Sequence, residues 1–227
     1  MERDVIEPEQ EQPGAEEPSE EGLLETTISV LSQPVPTMRR LTRKPRWGWA
    51  VIVTVVISVG SSLATVAQRG PLVGAQPGFA PPPDLEQQLR AVGLVFALVG
   101  PVVAVIALAV GAGLVQVSSY LLGGKGGYAG LFTGLGFASL PNALGIPAML
   151  LPRLLGGAGS ALAGLVNLGA LVWAVVLSVI AVRENHGFST GRAVAALLIP
   201  VAVLVGGLIG LAVLVLFAFL LAGGFAS

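Results

Sequence analysis

The single histidine of this 227-residue chain, His186, lies in one short polar stretch of an apolar C-terminal half. The stretch reads Arg183-Glu184-Asn185-His186-Gly187-Phe188-Ser189-Thr190-Gly191-Arg192. A base, an acid, an imidazole and two hydroxyls close together can build either a polar contact surface or a nucleophilic site. Gly187 to Gly191 even matches Gly-x-Ser-x-Gly, the nucleophile elbow of hydrolases. That elbow needs a preceding strand, whereas this segment joins two long apolar runs. The only His is three residues before Ser189, and no second base accompanies it. The capping reading is better: Ser189 or Thr190 can accept hydrogen bonds from the first free amides of a following helix. Arg183 would sit at a helix C-terminus, where a cation is favoured. His186 is read as an exposed loop residue, able to titrate near neutral pH. Arg183, Glu184, His186 and Arg192 are therefore candidates for polar contacts rather than for catalysis.

Other chemistry is scarce. The chain has no Cys, which removes disulfides, thiolate metal sites and cysteine nucleophiles. One His leaves little for a metal site, and Gly123-Gly124-Lys125-Gly126-Gly127 is not a phosphate-binding Walker loop, because no Gly-Lys-Ser/Thr follows at the required spacing. It reads as a flexible turn. No enzyme activity, cofactor, metal or nucleic-acid partner is expected.

The elements that position these residues are membrane helices. The chain is 54% hydrophobic and only 11% charged, against about 25% charged in a soluble domain. One soluble core of this size could not hide so much apolar surface. Charges divide the sequence into uncharged runs of 22, 34, 27, 29 and 35 residues. A spanning helix needs about 20 apolar residues, so each run holds one span. The expectation is an all-α membrane protein: a five-helix bundle with spans near 49–67, 91–117, 127–151, 159–182 and 193–221. A β-barrel is excluded, because the runs lack apolar/polar alternation.

The net charge of −1 hides a split. Residues 1–25 hold ten of the thirteen acids and one base, and the remainder carries eleven bases and three acids. Three domains follow: an acidic tail over 1–33, expected to be disordered because it has little to bury; a basic membrane-surface segment over 34–46; and the spanning domain over 47–223. The acidic start does not look like a cleavable leader. Arg39, Arg40, Arg43, Lys44 and Arg46 just before the first span favour a cytoplasmic N-terminus. With five spans, the C-terminus lies outside. Val35, Met38 and Leu41 recur every three residues among these bases, the pattern of a short amphipathic turn at the lipid headgroups.

Small residues spaced by four mark close helix packing: Gly126, Gly130, Gly134 and Ala138 in the third span, Ala202, Gly206 and Gly210 in the fifth. Pro101, Pro141, Pro147 and Pro200 fall inside spans and are expected to kink them. Pro141 and Pro147 flank Asn142 and could break the third span outright, as broken helices do at some transporter binding sites. No Asp, Glu, Lys, Arg or His lies within a span, which argues against an ion-coupled carrier.

Several of these pieces together resemble a known family. Pro36-Thr37-Met38-Arg39-Arg40-Leu41 and Pro45-Arg46-Trp47 precede the first span, and Lys125-Gly126-Gly127-Tyr128 enters the third. Gly136-Phe137-Ala138-Ser139-Leu140-Pro141, then His186-Gly187-Phe188-Ser189-Thr190-Gly191-Arg192-Ala193 and Pro200, complete the order. Over residues 34–222 the chain resembles the Yip1 family of five-span membrane proteins, in its prokaryotic form. The resemblance implies a cytoplasmic N-terminus and a C-terminus on the other side. Eukaryotic members act in vesicle traffic and contact Rab-type GTPases and one another, through N-terminal regions with Asp-Leu-Tyr-Gly-Pro and Gly-Tyr segments. The tail here has neither, which puts GTPase binding in doubt, and it is not carried over.

The expectation is thus a non-enzymatic adaptor or membrane-organising factor of a bacterial plasma (inner) membrane. Its contacts lie on the cytoplasmic face, with lipid, a membrane-protein partner or its own copies. The alternative is a transport protein or permease subunit for a neutral or apolar solute, built on a broken third helix.

Overall fold

The computed structural model describes residues 22–68 and 83–224. The acidic stretch before Gly22 and the proline-rich connection 69–82 lie outside the described residues.

Proline punctuates the N-terminal part. Helix α1, Leu23–Ser32, stops at Gln33 (φ −133°, ψ 67°), the residue before Pro34. The ring of a following proline excludes the helical region there. Pro34 then starts α2, Pro34–Arg43, where its missing N–H costs nothing. Lys44, before Pro45, ends α2 in the same way (φ −120°, ψ 82°). The helical α1 corrects the expectation that 1–33 is disordered throughout. Thr26 and Val30 are buried against the bundle, which is what holds this helix.

Five apolar stretches long enough to cross a membrane follow. The first is α3, Trp47–Gln68, about 33 Å at 1.5 Å per residue. The second lies in α4, Pro83–Leu121, which extends beyond the expected 91–117. The third is composite: α5, Tyr128–Ala138, a 3-10 turn over Leu140–Leu144, and the short α6, Gly145–Ala148. The fourth and fifth are α7, Leu151–His186, and α8, Thr190–Gly224. All elements among the described residues are helical.

The third span breaks at the proline pair. Pro141 occupies the first turn of the 3-10 segment, where it needs no donor. Tighter bonds replace the lost ladder: Asn142 N–H to Ser139 O at 3.0 Å, and Ser139 Oγ to Gly136 O at 2.7 Å. Non-helical backbone at membrane depth survives only when protein covers it, and Leu140 and Pro141 are both buried. At Pro101 and Pro200 the helices α4 and α8 run on as helix rather than breaking as the third span does. Each proline removes one bond, and the long apolar flanks carry the helix on. The departure from helical geometry comes instead at Gly156 in α7 (φ 58°, ψ −133°). A positive φ there suits glycine alone.

α5 is the central pillar. It contributes Phe137 and Ala138 to a core with Val30 of α1, Met38 and Leu41 of α2, Val53 of α3 and Leu177 and Ala181 of α7. Leu131 packs with Val115 of α4, Val182 of α7, Phe188, and Ala193 and Ala196 of α8. Phe132 joins Ala50 of α3 and Ala112 of α4. Two glycines set the approach of the flanking helices: a Cβ on Gly134 would lie 2.8 Å from the Ala181 Cβ, and one on Gly136 would lie 2.6 Å from the Ala50 Cβ. Ala138, the last of the expected stripe, is buried in the same core.

Two packing expectations are corrected. Met38 and Leu41 point into the bundle rather than toward headgroups, since protein rather than lipid covers the apolar face of α2. Gly206 and Gly210 have nothing within 4 Å of a built Cβ among the described residues. Only 6% of the fifth span is buried, against 56% of the third. Ala193, Ala196 and the partly buried Leu197 hold the start of α8 to the bundle, and from Val201 to Val215 it is exposed.

Candidate functional site

At one end of the bundle α4 stops, α5 and α8 start, α7 stops and α2 lies alongside. Two glycines end the long helices in the same manner. Gly123 (φ 82°) follows α4, and Gly187 (φ 67°) caps α7 in the left-handed conformation. In each case the next amide turns back five residues: Gly124 N–H bonds Ser119 O at 2.8 Å, and Phe188 N–H bonds Arg183 O at 3.1 Å. This is the Schellman pattern, which satisfies carbonyls that a helix end leaves free.

Three side chains then hold the α4–α5 loop. Gln116 of α4 donates from Nε2 to the Gly126 carbonyl at 2.7 Å. His186 of α7 accepts at Nδ1 from the Gly126 amide at 3.0 Å. Asn185 donates from Nδ2 to the Gly127 carbonyl at 3.1 Å. Because a backbone amide can only donate, Nδ1 must be bare and the ring proton sits on Nε2. His186 is buried at 8% exposure, not the exposed loop residue that its sequence position suggests. Phe188, also buried, stacks on its ring (centroids 5.3 Å apart, planes 22°), and Tyr120 meets it edge-on at 6.4 Å. The loop is clasped rather than flexible.

The clasp requires glycine. A Cβ on Gly126 would strike the Asn185 backbone, and one on Gly124 would meet the His186 and Phe188 rings and the Ser119 carbonyl. One on Gly130 would collide with the Asn185 side chain and the Thr42 carbonyl. Gly126 and Gly130 thus admit the end of α7, and Gly130 also admits the end of α2.

An ion pair ties in α2. Arg39 Nε donates to Glu184 Oε2 at 2.7 Å, while Arg183 reaches Oε1 of the same carboxylate at 2.9 Å. The Glu184 side chain is 10% exposed and Arg39 53%. Glu184 is therefore spent inside the protein, and what this end presents outward is basic: Arg43, Lys44, Lys125 and Arg192 are exposed.

Over residues 28–214 the sequence matches the family model of the Yip1 domain. The chain belongs to the Yip1 family. No match was found among curated proteins or among solved structures. Five apolar spans and membership of this family make the chain a multi-pass integral membrane protein.

In this Yip1-domain chain the expected contact residues divide. Arg183, Glu184 and His186 belong to the last turn of α7 and point into internal bonds. Ser189, Thr190 and Arg192 are exposed at the start of α8, where the Ala193 amide bonds the Ser189 carbonyl at 3.1 Å. Ser189 is thus the residue that opens α8, as a cap does. Gly187-x-Ser189-x-Gly191 joins two helices, without the strand that a nucleophile elbow requires. Among the described residues no three His, Asp or Glu side chains gather where a metal ion could be held. Sequence reasoning missed Asn185, Phe188 and Arg39 as parts of this site, and gave Gln116 no role. The one available signal was that Gln116 is the single amide in a long apolar run.

Proposed function

We propose that this Yip1-family protein is a non-enzymatic adaptor or membrane-organising factor, and that the clasped end of the bundle is its contact surface. One observation supports this most: three side chains on two helices, Gln116 and His186 among them buried, fix the backbone of Gly126 and Gly127, and this rigid loop carries an exposed Lys125, with Arg192 exposed at the start of α8. A preorganised basic surface binds at lower entropic cost than a mobile one, and its charge suits an acidic segment of a partner protein. The bases before the first span favour placing this end in the cytoplasm of a bacterial cell, with the protein in the plasma membrane. No bond-making chemistry is assigned to it.

The test is photo-crosslinking in cells from position 128, exposed at the end of the same loop, with identification of what is captured. A reproducible protein, lost when Lys125→Glu and Arg192→Glu are combined at unchanged abundance, is the expected result. Capture of lipid alone overturns the adaptor reading.

A second reading has one observation in its favour: the third span is broken at Pro141, with Asn142 in the 3-10 turn. A carrier of a neutral or apolar solute would use this break. Asn142→Leu should then abolish solute uptake into vesicles, and unchanged uptake removes the reading.

A further inference from the structure

The first helix carries a face that the bundle does not cover. On α1, Leu24, Ile28 and Leu31 are 80%, 67% and 43% exposed. Their spacing of four and three places them on one stripe, about 60° wide at 100° per residue. Thr26 and Val30 are buried on the opposite side. Glu25 and Ser32 are exposed on the flank of the stripe, about 80–100° round from Leu24. The helix thus has three distinct aspects: one for protein, one apolar, one polar.

Its depth is set by what it packs on. Val30 shares a core with Val53 of the first span and with Phe137, Ala138 and Leu140 of the third. Thr37 of α2 bonds back to the Ser29 carbonyl at 3.2 Å, and α2 ends four residues before α3 begins at Trp47. α1 is therefore held beside the membrane-entering turns, at the edge of the hydrocarbon, with its apolar stripe uncovered. α2, joined to it at Gln33, turns Arg43 and Lys44 outward.

We propose that α1 and α2 together form an in-plane anchor for an anionic leaflet. Leu24, Ile28 and Leu31 enter the acyl boundary, Glu25 and Ser32 face water, and Arg43 and Lys44 engage lipid phosphates. An apolar stripe beside a basic cluster is the composition that binds the interface of anionic membranes. This goes beyond the adaptor reading and uses different residues, so either stands without the other. In the sequence, the basic turn alone looked amphipathic, and its apolar residues serve the bundle.

The chain lacks Cys, so one introduced thiol is unique. Single Leu24→Cys, Glu25→Cys, Ile28→Cys, Leu31→Cys and Ser32→Cys variants of the full chain carry an environment-sensitive fluorophore in nanodiscs, one chain per disc. The discs contain either phosphatidylcholine alone or a mixture with phosphatidylglycerol. Positions 24, 28 and 31 should be quenched by doxyl-labelled lipid severalfold more than 25 and 32, and more strongly in the anionic discs. Positions 25 and 32 should respond to a water-soluble quencher. With Arg43→Gln and Lys44→Gln the advantage of anionic lipid should disappear. Equal access of all five positions to the aqueous quencher overturns the anchor. So does lipid quenching at all five alike, or an unchanged anionic advantage after removal of the two bases. If the stripe is shielded from both quenchers in single-chain discs, another part of the chain covers it and the proposal fails.

Discussion

Replacing His186 with leucine keeps a side chain of similar bulk and removes the acceptor for the Gly126 amide. That amide is 3.0 Å from Nδ1 in a buried setting, with Gly126 itself buried. A buried donor left without a partner costs about 1–3 kcal/mol. Loss of the ring stack on Phe188 adds about 0.5–1.5 kcal/mol. The sum is about 3 kcal/mol at the centre of these ranges. At roughly 2–4 °C per kcal/mol for a chain of this size, Tm should fall by about 6–12 °C. His186→Asn separates the two contributions, because its side-chain oxygen can stand near the Nδ1 position while the ring stack is lost. It should recover more than half of the deficit. The assay is thermal unfolding in detergent micelles, followed by tryptophan fluorescence. The reasoning is refuted if the leucine variant melts with the parent, or if asparagine is no better than leucine.

Glu184 offers a charge-swap test: Arg39→Glu alone should destabilise, and adding Glu184→Arg should restore about 0.5–1 kcal/mol in a double-mutant cycle, small because Arg39 is half in solvent. Failure of the double variant to improve on the single one removes the link between α2 and α7. Gly130→Ala should destabilise by about 1–3 kcal/mol despite the better helix propensity of alanine, since its methyl meets the Thr42 carbonyl and Asn185. Gly206→Ala should be neutral or stabilising, and equal thermal shifts for the two would contradict the packing described. For orientation, a single cysteine at Lys125 should resist membrane-impermeant maleimide in whole cells, while one at Gly74 or Ser227 should react. Labelling at 125 from outside would reverse the assigned topology.

Span number was legible because it rests on lipid alone: uncharged runs of sufficient length must be helices in a bilayer. The break in the third span was legible for a similar local reason, because Pro141 and Pro147 remove donors wherever they sit. The clasp was not. Nothing local tells Gly126 that His186, sixty residues on, will accept its amide. The polar run 183–192 was read as a loop because charge in a membrane chain usually marks one, yet α7 continues to His186 and buries it. Gly206 and Gly210 show the opposite failure. Their spacing matches that of Gly130 and Gly134, and only the neighbours distinguish the two stripes. α1 was hidden by its acidic surroundings, since it is held by packing on α2 and on the distant α5, which no local pattern reveals.

The unequal grip on α8 has an evolutionary corollary. Near its start Ala193 and Ala196 must fit specific protein neighbours, so most substitutions at these positions carry a penalty. From Val201 to Val215 the residues are exposed, and the requirement falls to hydrophobic length and helix continuity. Leucine, valine, isoleucine and phenylalanine are then nearly interchangeable, and neutral exchanges accumulate freely. Relatives compared over this part of the fifth span would differ at many positions while doing the same job, and sequence divergence there would be a poor measure of functional distance.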